Sequence, residues 1–260
     1  MDPSLDLAVP VLSIGGLDNY AVPRPRVHAV PLAPGRNATP NDGSGPSGAY
    51  AGYDFRAAYA PDTSLTGAGQ VLGLLQFDGY SADDISYYES NAGLPSVTLS
   101  NVLLNGASGL PSGNGGEIEV SLDIEMAVSM APGLSEIIVY EAPNGTPYEV
   151  ILNQMATDNL ARQLSCSWFL RGAPSNAVDD QICQQMIAQG QSFFNASGDE
   201  DAYTGLIDFP SDSPYITQVG GTRLITSSPG STSSSTNPIL GIARVAPQTC
   251  SSSPSRQTPR

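Results

Sequence analysis

The sequence contains no lysine and only one histidine, His28, so its ten cationic side chains are all arginines. Against these ten stand 25 acidic residues, which give a formal net charge of −15. So acidic a surface repels nucleic acid and anionic membranes, and we expect neither as a partner. A single histidine also excludes a histidine-rich metal site.

Long apolar runs and cysteines are scarce as well. No run of about 18 apolar residues occurs, so no membrane span is predicted. The first residues lack the basic and apolar segments of a signal peptide. Three cysteines, Cys166, Cys183 and Cys250, allow at most one disulfide, which excludes a disulfide-stabilised scaffold. The sequence leaves open whether Cys166 and Cys183 pair.

Between residues 47 and 225, short apolar runs alternate with segments of helical character. Strands are predicted at 70–77, 135–141, 163–168 and 192–196, and helices at 82–93, 116–130, 148–159 and 176–189. This alternation favours an α/β fold in which a largely parallel sheet carries helices on both faces. In such sheets, functional sites form beyond the carboxyl ends of the strands.

The two ends of the chain differ from this middle part. Residues 1–46 are rich in proline and small polar residues, which indicates an extended linker. Residues 226–260 are rich in serine, threonine and proline and have almost no apolar periodicity. Such a segment buries too little surface to offset its ordering entropy, so a low-complexity, disordered tail is predicted there.

The predicted helix 116–130 carries four carboxylates, Glu117, Glu119, Asp123 and Glu125. At about 100° per residue, Glu119 and Asp123 lie on one face, one turn apart, whereas the other two point elsewhere. Stacked like charges destabilise a helix unless one of them is protonated or shares a partner. Such a pair raises one pKa, which suits acid–base chemistry. A solvated acidic face is the simpler interpretation, but the helix is too apolar for a typical surface helix.

Two further polar segments follow predicted strands. Asp199 comes after the strand 192–196, and Ser165–Trp168 ends another strand with the only tryptophan. Taken alone, a turn-stabilising Asp199 and a core-packing Trp168 are the simpler interpretations. Because His28 lies in the linker, Ser-His-Asp and Cys-His schemes are excluded. A serine activated here would need a carboxylate base, which works in acid.

Several stretches, in this order, resemble the sedolisin family of serine-carboxyl peptidases. They run from about Gly48 to Leu224 and read GAYAGYDFRAAYAP, GQVLGLLQFDGYSADDISYY, EVSLDIEMAVSMAP, SCSWF, QGQSFFNASGDEDAY and FPSDSPYITQVGGTRL. The resemblance implies a subtilisin-like α/β fold, cleavage of proteins at acidic pH, an N-terminal propeptide and export from the cell. Residues 1–46 resemble the last part of such a propeptide, and 47–225 part of the peptidase domain.

The resemblance also implies roles for individual residues. Glu119 would be the general base that takes the proton of the nucleophilic serine, and Asp123 would hold Glu119 through a shared proton. Asp199 would be the oxyanion-hole acid, which donates a hydrogen bond only while protonated. The substrate backbone would lie along Ser165, Ser167 and Trp168.

The sequence departs from the family pattern in two places. The family's nucleophile is a serine in a Gly-Thr-Ser type segment well downstream of the VGGT stretch, and only the predicted tail follows Leu224. The chain is therefore expected to be truncated before the nucleophile, with a fold that is incomplete at its C-terminus. Gln76 stands where some relatives extend the proton network through a glutamate.

Partners and alternatives follow from the same resemblance. It implies a monomer acting on a polypeptide substrate, and no cofactor or metal in this chain, because the family's calcium site lies near the domain's C-terminus. The alternative is an inactive peptidase remnant that at most binds peptides. A glycosidase is disfavoured, because its two acids should flank a sugar from different elements, whereas Glu119 and Asp123 share one helix.

Overall fold

The structure is a computed structural model that describes residues 21–26, 43–199, 205, 207–226, 228–230 and 235–238. Its helices are α1 (Tyr53–Tyr59), α2 (Ala82–Asn91), α3 (Glu117–Met130), α4 (Tyr148–Asp158) and α5 (Ala177–Ala188). Its strands are β1 (Pro23–Pro25), β2 (Val71–Gln76), β3 (Leu99–Leu103), β4 (Glu136–Glu141), β5 (Gln163–Cys166), β6 (Trp168–Leu170), β7 (Ser192–Ala196), β8 (Thr217–Val219), β9 (Thr222–Ile225) and β10 (Ser235–Pro238). A 3₁₀ turn spans Pro46–Gly48.

Six strands form a sheet in which every pair of neighbours is parallel, in the order β3-β4-β2-β5-β7-β8. Two antiparallel ribbons, β1 with β6 and β9 with β10, complete the described strands. Parallel neighbours need long crossover connections, and α2 to α5 supply them. The predicted α/β fold with a largely parallel sheet is confirmed.

Helices cover both faces of the sheet, as predicted. On β2, the position of a Cβ on Gly73 would face Met155 of α4, whereas Gln76 bonds to Asp123 of α3. Residues three apart on a strand point to opposite faces, so α3 and α4 lie on opposite sides. Helix α3 connects β3 to β4, and α4 connects β4 to β5. Both connections run in the same direction along the strand order. The two crossovers therefore have opposite hands. If β4-α4-β5 has the usual right hand, β3-α3-β4 is left-handed.

Local signals explain where the helices begin and end. The Ser81 side chain accepts a hydrogen bond from the Asp84 amide at the start of α2, and Asn176 forms a capping box with Asp179 at the start of α5. After α2, Gly93 adopts a φ of +65°, a left-handed conformation that glycine tolerates at a helix end. The predicted bounds of these elements agree with the structure to within about two residues.

An aromatic cluster lies beneath the carboxyl edge of the sheet. Phe77, Tyr148, Trp168 and Phe209 are almost completely buried. Their rings meet edge to face, with centroids 4.7 Å apart for Phe77 and Tyr148 and 5.5 Å apart for Phe77 and Trp168. Edge-to-face pairs align the positive ring edge with the negative face of the neighbour. The cluster therefore forms a rigid support under the strand ends.

The structure differs from the sequence-based expectations in several elements. The strand predicted at 163–168 is broken at Ser167, after which β6 leaves the main sheet to pair with β1. Helix α1 and strands β1, β3, β8, β9 and β10 were not predicted. Within the segment 226–260, for which disorder is predicted, Ser235–Pro238 pairs with β9, and such a backbone ladder does not require apolar side chains. Apart from 226 and 228–230, the remainder of that segment lies outside the described residues.

The cysteine question left open by the sequence has a clear outcome. Cys166 and Cys183 are both buried and are not joined by a disulfide. Cys250 and His28 lie outside the described residues. None of the helices described here has the length and apolar character needed to cross a membrane.

Candidate functional site

The candidate site lies where three adjacent strands end. Gln76 is the last residue of β2, Ser167 follows β5, and Asp199 comes three residues after β7. These strands are neighbours in the parallel sheet, so their carboxyl ends meet at one edge. Polar side chains far apart in sequence are thereby brought to the same edge.

Helix α3 supplies two carboxylates to this edge. Glu119, in its first turn, is only 3% exposed, and Asp123 one turn later is half-buried. A Cβ on Gly116, at the start of the helix, would lie 2.7 Å from Asp78 Oδ2 and 3.0 Å from Trp168 Cη2. Glycine at position 116 therefore lets the helix start close to the strand ends.

Asp123 accepts two short hydrogen bonds from residues of the sheet edge. Ser167 Oγ donates to its Oδ1 at 2.7 Å, and Gln76 Nε2 donates to its Oδ2 at 2.7 Å. Burial raises the pKa of Asp123 above its ordinary value, and the two hydrogen bonds oppose that rise because they stabilise the charged form. Asp123 is thus firmly positioned and holds a proton more readily than an exposed aspartate.

Trp168 fixes the orientation of Gln76. The indole Nε1 donates to Gln76 Oε1 at 2.7 Å, and both side chains are completely buried. Since the indole nitrogen can only donate, it engages the amide oxygen and leaves the amide nitrogen to bond Asp123. A glutamine does not titrate, so proton exchange along this chain of bonds ends at Gln76.

Asp199 lines a cavity that Ser167 also borders. A cavity of about 290 Å³ is lined by Asp199 together with Ser165, Ser167, Gly220 and Gly221, among others. Asp199 is exposed, unlike Glu119. Ser167 therefore connects the two halves of the site, because it bonds to Asp123 and also lines the cavity of Asp199.

The sequence-predicted residues thus come together at one edge, with one distinction. Ser165 and Ser167 line the open cavity, whereas the Trp168 side chain is buried behind them. The indole of Trp168 bonds to Gln76 within the core, and the backbone of Trp168 lies in the β1–β6 ribbon.

The linker contributes a strand to this site that the sequence did not reveal. β1 pairs antiparallel with β6, and the Arg26 amide donates to the Ser167 carbonyl at 2.9 Å. The Arg26 guanidinium lies 3.7 Å from the centre of the Phe169 ring. An extended segment of this chain therefore already occupies the free side of β6.

The family resemblance singled out Gln76 as a position of the proton network, but the sequence did not reveal that its side chain bridges Asp123 and Trp168. The available signal was a polar residue at the end of the apolar run QVLGLLQF, where β2 reaches the sheet edge. A buried polar side chain in such a place needs partners, and Asp123 and Trp168 are those partners.

The thiol of Cys166 is unreactive in this setting. Burial raises the pKa of the Cys166 thiol to about 12, so this cysteine stays protonated and is a poor nucleophile. Within the described ranges, no three His, Cys, Asp or Glu side chains come together in a group suited to a metal ion.

Comparison with known proteins gives consistent results. No protein-family model matches the chain. Kumamolisin of Bacillus sp. (strain MN-32) is 30% identical over 236 residues, which are 83% of this chain and 42% of kumamolisin. Sedolisin of Pseudomonas sp. (strain 101) is 28% identical over 255 residues, 89% of this chain and 43% of sedolisin. The chain spans less than half the length of these curated relatives.

A solved structure agrees in fold with this chain. It is Pseudomonas sedolisin, described as a serine-carboxyl proteinase, complexed with two molecules of pseudo-iodotyrostatin. The TM-score is 0.60 at 28% identity, over 69% of this chain and 55% of the solved one. The likeness covers the parallel-sheet architecture on which the candidate site is built.

Proposed function

The chain belongs to the sedolisin family, and we propose that it serves the hydrolysis of polypeptides in acid as a serine-carboxyl peptidase. The observation that carries this proposal is the bonding of Asp123. Its carboxyl is held by Ser167 and Gln76 one helical turn after the buried Glu119. A buried acid on one helix face, followed by a fixed acid with a raised pKa, suits a carboxylate general base.

In the proposed mechanism, Glu119 takes the proton of the attacking serine as that serine forms a bond to the substrate carbonyl carbon and the π electrons move onto the carbonyl oxygen. When the tetrahedral intermediate collapses, the C–N bond breaks and the proton on Glu119 passes to the leaving amine. Water then releases the acyl group from the serine. Asp123 shares a proton with Glu119 and is a positioning residue, because it acts through Glu119. We assign the role of nucleophile to no serine among the described residues.

Asp199 is proposed to stabilise the oxyanion from the cavity side. As an acid, it donates a hydrogen bond to the negative oxygen of the tetrahedral intermediate. A carboxyl group can donate only while it is protonated, so this role confines activity to acidic solution. Ser165 and Ser167 line the same cavity, and we propose that the substrate backbone lies along them and the backbone of Trp168.

Residues 1–46 are proposed to be part of a propeptide. This rests on the pairing of Pro23–Pro25 with β6 and on the bond from the Arg26 amide to Ser167, the serine that bonds Asp123. An extended segment in that position covers the strand along which a substrate would lie. We also propose, from the family, that the protein acts as a monomer outside the cell.

A second candidate is a peptide-binding remnant without hydrolytic activity. The β1–β6 pairing favours it, since in this pairing β6 accepts an extended strand along its edge. The two candidates differ in hydrolysis and not in binding, so a hydrolysis assay distinguishes them.

The test uses a chimaeric protein in which a relative, kumamolisin, supplies the nucleophilic serine. Residues 47–225 replace the corresponding part of kumamolisin, and peptide hydrolysis is measured at about pH 4, alongside the unaltered chain. Glu119→Gln should lower kcat at least about 100-fold, the usual scale of a general base, and Glu117→Gln on the same helix is the matched control. Asp199→Ala should abolish most activity, whereas Asp199→Asn should keep part of it, because an amide still donates. Hydrolysis that is unchanged in Glu119→Gln contradicts the proposal.

A further inference from the structure

Arg26 is a cationic side chain enclosed at the candidate site. It is the last residue of the described segment 21–26, and only 9% of it is exposed. Arginine is rarely buried to this extent unless its charge has partners. Arg24, two residues earlier in β1, is exposed instead. The fold therefore encloses one of two nearby arginines selectively.

The backbone of this segment fixes the position of Arg26. β1 pairs antiparallel with β6, with Arg24 opposite Phe169. The Arg26 amide then donates to the Ser167 carbonyl at 2.9 Å. When an extended peptide adds to a strand edge, main-chain hydrogen bonds give affinity and the sites of alternate side chains give specificity. The surroundings of the Arg26 side chain are such a site.

Two residues contact the guanidinium and the stem of Arg26. Its Cζ lies over the Phe169 ring, 3.7 Å from the ring centre, and Phe169 is itself buried. A Cβ on Gly198 would lie 2.6 Å from Arg26 Nη1 and 3.4 Å from its Cδ. Gly198 also has a φ of +107°, which side chains other than glycine rarely adopt. Phe169 and Gly198, here called the arginine cradle, thus leave a space shaped for an arginine.

The arginine cradle adjoins the candidate active site. Gly198 directly precedes Asp199, and both line the cavity of about 290 Å³ that Ser167 also borders. Ser167 accepts a hydrogen bond from the Arg26 amide with its carbonyl and donates one to Asp123 with its hydroxyl. A side chain in the cradle therefore belongs to a backbone that passes next to the groups proposed for hydrolysis.

We propose that the arginine cradle is a subsite for an arginine side chain of the polypeptide substrate, which Arg26 occupies in place of that side chain. The inference rests on the proposed function only in taking a polypeptide as the ligand. Arg26 itself covers the Phe169 ring, so departure of the segment 21–26 from β6 opens the ring face to a ligand. The substrate arginine then lies beside Asp199.

This mode of recognition operates in acid. The guanidinium keeps its charge, the phenyl ring has no group that titrates, and the attraction between them needs no ionised carboxylate. The planar guanidinium stacks on a ring face and is more weakly hydrated than an ammonium, which favours arginine over lysine. A neutral side chain of the same shape loses the attraction to the ring.

The first test uses the full chain and its own Arg26. Hydrogen–deuterium exchange, followed by NMR, measures the protection factor of the backbone amide at position 26, which donates to Ser167. Arg26→Gln should lower this protection at least about 10-fold, the scale of a desolvated cation–ring contact. Arg24→Gln is the matched control, since it removes the same charge from an exposed position of the same segment, and it should change the protection less than about 2-fold.

The second test offers the arginine from a separate peptide. The full chain with Arg26→Gln is titrated by NMR at about pH 4 with acetyl-Pro-Arg-Pro-Arg-amide, which copies residues 23–26, and with the same peptide ending in citrulline, its neutral isostere. We expect the peptide ending in arginine to bind at least about 10-fold more tightly. Phe169→Leu, added to the same chain, should remove this preference, whereas Phe55→Leu in α1 should leave it unchanged.

Three results overturn the inference. They are equal protection in Arg26→Gln and Arg24→Gln, equal binding of the two peptides (absence of binding by both included), and an arginine preference that survives Phe169→Leu. None of these measurements needs hydrolysis. Such a result therefore leaves the proposed peptidase activity untouched, because that proposal is tested by the Glu119 variants.

Discussion

Asp123 and Glu141 are two buried or half-buried acids at the same edge of the sheet, and their surroundings differ sharply. Asp123 accepts hydrogen bonds from Ser167 and Gln76, whereas neither carboxyl oxygen of Glu141 has a hydrogen-bond partner among the residues that the structure describes. Burial raises the pKa of both side chains, so burial does not distinguish them. What distinguishes them is the number of donors that the fold supplies.

The difference indicates two uses of a buried carboxyl. A carboxyl that accepts a hydrogen bond from a fixed donor on each oxygen is held in one geometry, which suits a group that must position a proton. A carboxyl that lacks donors destabilises the charged state and gains most from a donor brought by a ligand. Asp123 has the first kind of environment, and Glu141 has the second.

Replacing Gln76 should have the largest effect, because it takes a hydrogen-bond donor away from Asp123 and so makes Asp123 more like Glu141. Gln76→Leu leaves both Asp123 Oδ2 and the buried indole nitrogen of Trp168 without a partner, and each loss costs about 1–3 kcal/mol. We expect the free energy of unfolding at neutral pH, measured by urea denaturation, to fall by about 3 kcal/mol or more.

Gln76→Glu is the matched control, because it keeps the size of the side chain and an acceptor for Trp168. It should be destabilised at neutral pH, where it adds a charge beside Asp123, and recover in acid. A loss below about 0.5 kcal/mol in Gln76→Leu would mean that the bridge contributes little.

Glu141→Gln should instead raise the free energy of unfolding at neutral pH. The folded chain holds a proton on Glu141 up to a pKa of about 7, against 4.5 for an unburied glutamate. As pH rises from 4.5 to 7, the unfolded state loses this proton first, so the wild-type chain loses stability over that window and reaches a plateau above it. The variant should lack this loss and be more stable at about pH 8 by up to about 3 kcal/mol, an order-of-magnitude value.

Urea denaturation across the pH range measures this effect, and the two chains should agree at about pH 3, well below 4.5, where Glu141 is protonated in both states. Equal pH slopes for the two chains would show that another donor satisfies Glu141.

Much of the fold was predictable because it depends on local patterns. The apolar runs gave β2, β4 and β7, and the spacing of Glu119 and Asp123 gave their common helix face. The site was predicted in part for the same reason, since parallel strands place their ends at one edge.

The rest depends on contacts between residues distant in sequence. The break at Ser167 arises because β6 pairs with β1, almost 150 positions earlier in the chain. The opposite hands of the α3 and α4 crossovers depend on the strand order, and local sequence patterns do not predict the strand order. The partner of Gln76 could not be read from the sequence, since it depends on which helix covers that face of β2.

The only tryptophan offers a direct measure of the Asp123 network. Trp168 bonds Gln76, and Gln76 bonds Asp123, so protonation of Asp123 should change the fluorescence of the indole. Because burial raises the pKa of Asp123, the midpoint of a fluorescence titration should lie above the ordinary aspartate value of about 4. Asp123→Asn should remove the transition, and Glu117→Gln should leave it in place. A transition that persists in Asp123→Asn would belong to another group.

Ser167→Ala should give the smallest and most specific effect. The variant removes one of the two hydrogen bonds that stabilise the charged form of Asp123, so the pKa of Asp123 should rise further. The fluorescence midpoint should move up by about half a unit to one unit, and the free energy of unfolding above that midpoint should fall by about 1 kcal/mol. Ser165→Ala, two residues earlier in the same cavity lining, leaves both bonds to Asp123 intact and should shift neither quantity. If the two alanine variants have the same fluorescence midpoint, the Ser167 hydroxyl does not hold Asp123. The Asp123 carboxyl would then be held by Gln76 alone.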